Sequence, residues 1–146
     1  MFQTLHNFFL PKAFFKGSQL ERRRSLLTYI LLLVGACSLP FYFIPQPDYN
    51  HIANLVGTAG YWGLLALLLV GMPYLWIAHG TLLWSIGYVA YLAAMTGGIN
   101  SPVMVWMTAA ILPAILLLDR VPALFWVITV FVANLFLLLI SKHGLV

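Results

Sequence analysis

Between Ile52 and Met95 there is no Asp, Glu, Lys or Arg, a stretch of about 44 residues. One bilayer crossing takes about 20 mostly apolar residues. The run is therefore too long for one straight helix and fits two antiparallel ones. Gly71-Met72-Pro73 is the natural break, because glycine and proline punctuate helices most strongly. His79-Gly80 is the other place where the chain could turn. The predicted helices cover 52–70 and 74–95.

The rest of the chain has the same character. It is 63% hydrophobic and 7% charged, with a mean hydropathy of +0.99, whereas a soluble domain carries about 25% charged residues. The expected fold class is all-α: a polytopic membrane bundle of about five transmembrane helices behind an N-terminal interfacial segment. Residues 1–24 form that segment and 25–146 the transmembrane domain. The first span covers 25–44 and starts directly after Arg22-Arg23-Arg24, and the loop Pro45–Asn50 ends it. The fourth, 102–118, opens on Pro102, a residue suited to a first helical turn. It contains Pro113, which should kink it. The fifth, 121–140, follows Asp119-Arg120.

Charge placement sets the orientation. Lys12, Lys16, Arg22, Arg23, Arg24 and Arg120 fall on one side of this topology, and Lys142 on the other. The positive-inside rule then puts the N-terminus in the cytoplasm. The net charge of +4 is no nucleic-acid footprint, because no folded polar surface is available to carry one. Residues 1–17, where Phe2, Leu5, Phe8, Phe9, Phe14 and Phe15 stand among His6, Lys12 and Lys16, read as an amphipathic anchor at the inner leaflet. They are expected to be retained, since no convincing small-residue cleavage site follows. Five crossings leave the C-terminus outside. The chain is therefore expected either to be cut before a further helix or to act through its membrane part alone.

The most polar break in the later sequence is Thr96-Gly97-Gly98-Ile99-Asn100-Ser101-Pro102. It falls between two spans and is expected at the outer surface. Thr96, Gly97, Gly98, Asn100 and Ser101 have two readings: a tight turn using glycine for positive φ and Asn/Ser for local capping, or hydrogen-bonding groups for a small ligand. Trp106, one turn on, is either an interfacial belt residue or a pocket wall. Trp62, Trp76, Trp84 and Trp126 suit the belt equally. Asn54 and Asn134 are amides within spans that are expected to bond across helices, and Asn54 could also reach the loop. Gly57, Gly60 and Gly63 recur every three residues on the second helix and read as a packing seam, with homodimerisation as the sharper possibility.

Catalytic and metal chemistry find little to work with. Cys37 is alone, which leaves no disulfide framework and no CxxC motif. His51 and His79 fall at opposite depths, so they could not share a metal or a haem, and no cofactor is expected. Ion-coupled carriers usually place a charged residue within the membrane, and the spans contain no Asp, Glu, Lys or Arg. Asp48 beside His51 lacks a nucleophile.

Leu10-Pro11-Lys12-Ala13-Phe14-Phe15 with Arg22-Arg23-Arg24-Ser25-Leu26-Leu27, and Thr96–Pro102 with Trp106 and Pro113, together resemble a widespread bacterial membrane input domain. The signature is a TGG-x-x-SP turn, a Trp four residues later and a helix proline. Such domains precede sensor histidine kinases, hybrid kinases and diguanylate cyclases. The similarity runs over nearly the whole chain, with its specificity in those two stretches. The family often has Arg at the turn between spans two and three, where this chain has Gly71, Met72 and Pro73. There is no H-box, ATP-binding module or GGDEF sequence, so the chain itself is not expected to be an enzyme. The resemblance implies two-component-type signal transduction: a stimulus is sensed in or near the membrane and a conformational bias passes to a cytoplasmic kinase or cyclase module. The alternatives are a small oligomeric transporter and a non-enzymatic assembly subunit. The sequence of the gene beyond Val146 would separate these.

Overall fold

In the computed structural model, residues 18–36 and 51–142 are described. The anchor segment 1–17, Cys37, the end of the first span, the loop Pro45–Asn50 and His143 lie outside them. The described residues are helical almost throughout: α1 (Gln19–Ala36), α2 (His51–Val70), α3 (Tyr74–Met95), a 3-10 turn (Gly98–Asn100), α4 (Met104–Ala109), α5 (Ile111–Leu117) and α6 (Arg120–Lys142). The all-α expectation stands. Two helices, α3 and α6, are long and apolar enough to cross a membrane; α2 and the α4–α5 segment offer shorter apolar stretches. Only 33% of the α3 window and 22% of the α6 window are buried. The core helix of a water-soluble protein would hide most of such a surface.

The chain divides into two compact units, residues 1–81 and 82–146. In the first, α1 starts at Gln19, ahead of the hydropathy onset at Ser25. Ser18 and Glu21 form a reciprocal cap: the Ser18 N–H donates to Glu21 Oε2 at 2.8 Å, and the Glu21 N–H donates to Ser18 Oγ at 3.3 Å. Each satisfies a backbone donor that a helix start would otherwise leave open. The arginine cluster is therefore helical and lies inside α1. Further along, Tyr61 of α2 lies against Gly35 of α1. A Cβ on Gly35 would sit 2.7 Å from the Tyr61 ring, so the two helices meet at a point where only glycine fits. Leu32, Leu65, Leu68 and Ile77 make the core there, packed by Tyr29, Tyr61, Leu64 and Tyr74.

The turn after α2 falls at Gly71–Pro73, and His79-Gly80 continues within α3. Its mechanism is visible in the backbone. The Met72 N–H donates to the Leu67 carbonyl and the Gly71 N–H to the Leu68 carbonyl, both at 3.1 Å, with Gly71 at φ 101°. This is the Schellman ending, which needs a left-handed residue just past the helix. The Pro73 carbonyl then accepts the Trp76 and Ile77 N–H groups at 3.1 and 3.5 Å and starts α3.

In the second unit, α6 packs against α5, α4 and the 3-10 turn. The stretch expected as the fourth span, 102–118, is interrupted ahead of Pro113, the residue expected to kink it. α4 ends at Ala109 and α5 begins at Ile111. Pro113 has no N–H to give the Ala109 carbonyl four residues back, so the ladder fails at that rung. The Ala110 N–H bridges the gap, shared between the carbonyls of Trp106 at 3.1 Å and Met107 at 3.3 Å. Polar side chains inside the helices satisfy themselves locally. Thr28, Thr81 and Thr129 hydroxyls donate to the carbonyls of Arg24, Ile77 and Phe125. Asn134 Nδ2 donates to Val130 O at 2.9 Å, a bond within its own helix where the sequence suggests one between helices. Such back-bonding pairs a polar side chain inside a helix without a partner from another element.

Candidate functional site

The loop Thr96–Pro102 is a built turn, and its hydrogen bonds have a fixed direction. The Thr96 hydroxyl donates to the Leu92 carbonyl at 2.7 Å, which commits its single proton. The 2.6 Å contact between Thr96 Oγ1 and Ser101 Oγ must then be donated by Ser101. Ser101 Oγ in turn accepts the Val103 N–H at 3.2 Å. A one-way relay results: Val103 N–H to Ser101, Ser101 to Thr96, Thr96 to the last turn of α3. It ties the end of one helix to the start of the next.

Backbone geometry around the relay explains both glycines. Gly97 has φ 112° and Gly98 φ 61°, a region that L side chains enter at a cost of about 1–2 kcal/mol. Gly98 is also buried, as the first residue of the 3-10 turn that packs on α6. The turn closes through the Asn100 N–H to Gly97 O at 3.3 Å and the Ser101 N–H to Gly98 O at 3.1 Å. The Met104 N–H bonds Ser101 O at 3.0 Å, leading into α4. Ser101 is 4% exposed.

This geometry changes several expectations. Thr96 and Ser101 have no proton left to offer a ligand; they can only accept, through remaining lone pairs. Their first task is the turn. Asn100 is exposed, and so is Gly97. Trp106 is 68% exposed. Trp62 and Trp76 are likewise exposed, whereas Trp126 is buried and belongs to the packing of α6. Of the expected glycine seam, Gly57 is buried and Gly60 half-buried. Gly63 is exposed, and a Cβ added there would meet nothing within 4 Å. Among the described residues, a Cβ on Gly35 would meet the Tyr61 ring and one on Gly80 the Leu64 side chain. The side chain of Asn54 lies outside what is described.

Among the described residues no three of His, Cys, Asp and Glu come together as a metal site would require. The Ser18 cap is within reach of sequence reasoning. Ser18-Gln19-Leu20-Glu21 fits the capping-box pattern, although the hydropathy onset at Ser25 masks it. The direction of the relay carries no such signature, because it depends on which carbonyl the Thr96 rotamer meets. Compared with models of known protein families, with curated proteins and with solved structures, the chain matches none.

Proposed function

We propose that this chain is a membrane-embedded signal-input domain. Five crossings lie in a bacterial inner membrane, the N-terminus is cytoplasmic, and a change in the bundle is passed to a cytoplasmic kinase or cyclase module. The carrying observation is the Thr96–Val103 relay, an internally bonded turn built on the stretch that resembles the input-domain signature. It joins α3 to α4 rigidly, so a stimulus at the loop moves both helices together rather than deforming the loop. Three further points support the reading. The basic residues are segregated to one side of the topology, α3 and α6 have apolar and largely exposed surfaces, and the intrahelical polar groups bond their own helices.

A small or membrane-associated stimulus acting at this loop meets acceptors at Thr96 and Ser101, the exposed Asn100, and the glycine backbone. Homodimerisation would use outward faces such as that of Gly63. The test is effector output in the organism that carries the gene. Asn100→Ala, at an exposed position, and Gly98→Val are each compared with the parent at matched membrane abundance. Loss of the stimulus-dependent change in phosphotransfer or cyclic-dinucleotide level is the expected result. Unchanged output from both variants at normal abundance overturns the proposal and favours the transporter or assembly-subunit reading.

A further inference from the structure

The second unit contains two different hydrophobic lengths side by side. α6 has 23 residues, about 34 Å at 1.5 Å per residue. The returning arm, from Pro102 through α4, Ala110 and α5 to Leu117, reaches only about 24 Å. A bilayer's hydrocarbon core is about 30 Å thick. α6 matches it and the arm does not. Both start from one corner, because only Leu118 and Asp119 separate α5 from α6, and the far end of the arm, the 3-10 turn, packs on α6 itself. The loop therefore meets α6 about 10 Å below its far end.

One of the arm's two ends must sit inside the hydrocarbon. The corner carries Asp119 and Arg120, both exposed, and ionised groups hold to the aqueous side. The loop Thr96–Pro102 carries no charge, and its hydroxyls are already bonded to one another and to backbone. Irregular backbone at membrane depth is tolerated when it is satisfied internally and packed on protein, as this turn is. The loop is the end that yields. Beyond it, α6 continues with exposed Phe136, Leu138 and Leu139, an apolar overhang that keeps lipid around the loop.

The geometry points to bilayer thickness as the stimulus: the loop lies beneath the outer headgroups, and its depth changes with acyl-chain length. This rests on the signal-input reading and names what that input would register. In a thick bilayer the corner stays at its interface and the loop is drawn deeper; in a thin one the loop reaches water.

The experiment uses the full chain with Cys37→Ser, purified into phosphatidylcholine vesicles. Single reporters are Asn100→Cys, Lys142→Cys and Met72→Cys, labelled with a membrane-impermeant maleimide. Across monounsaturated chains of about 14, 18 and 22 carbons, the Asn100→Cys rate is expected to fall about tenfold or more, with Lys142→Cys changing less than about twofold. Equal Asn100→Cys rates at all lengths overturn the inference. If, in that case, Met72→Cys labels from the opposite side, the signal-input topology survives without it. If Met72→Cys and Asn100→Cys label from the same side, the topology fails, and this inference fails with it.

Discussion

The two ends of α3 are turned by different means. At Gly71–Pro73 the work is done by backbone alone: one left-handed glycine, two reversed hydrogen bonds and a proline that cannot continue the previous helix. At Thr96–Val103 two left-handed glycines are joined by two side-chain hydroxyls in series. The first turn needs little from its neighbours. Gly71 is exposed and a methyl there would meet nothing. The second is buried at Gly98 and Ser101 and leans on α6. A backbone turn of the first kind is a connector. One that also uses buried side chains couples its shape to the helices around it.

The comparison can be broken most sharply at Gly98. Gly98→Val places a β-branched residue at φ 61° in a buried position and should cost about 3 kcal/mol, read as loss of thermal stability in detergent. Gly35→Leu, which drives a side chain into the Tyr61 ring, should cost about 2 kcal/mol by the same measurement. Ser101→Ala removes the middle of the relay, taking the side-chain acceptor from the Val103 N–H and the donor from the Thr96 oxygen, a loss of about 1–2 kcal/mol. Its combination with Thr96→Val should fall short of additivity by about 1 kcal/mol in a double-mutant cycle. Full additivity would mean the two hydroxyls act separately. Gly71→Ala should cost about 1 kcal/mol, pure backbone strain with no steric part. Gly63→Ala is the smallest. In an exposed helix interior with open space it should stabilise by about 0.5–1 kcal/mol, and a weakened dimer by cross-linking would instead show that a second copy packs there.

Much of this fold is legible in the sequence where the signal is local. Gly71-Met72-Pro73 shows itself because two residue types each oppose helix there. Pro113 announces a fault, and the rung it breaks, Ala109, follows from counting back four residues. The rest depends on rotamers and on neighbours. α6 carries large apolar residues on every side, so periodicity gives no hint that Trp126 faces inward while Phe125 and Phe131 face out. Asn134 could bond its own helix or another, and only the folded geometry decides. Composition finds the polar loop and suggests ligand groups in it; that Thr96 and Ser101 spend their protons on the turn needs distances.

The reciprocal cap at Ser18 and Glu21 has a mechanical consequence. Because it winds the chain into a helix before the arginines, Arg22, Arg23 and Arg24 are spaced at fixed angles around a stiff stem instead of trailing on a coil. Any twist of α1 about its long axis then sweeps all three guanidinium-bearing positions through the same arc. A neighbouring protein surface would register that rotation as a displaced pattern of positive charge.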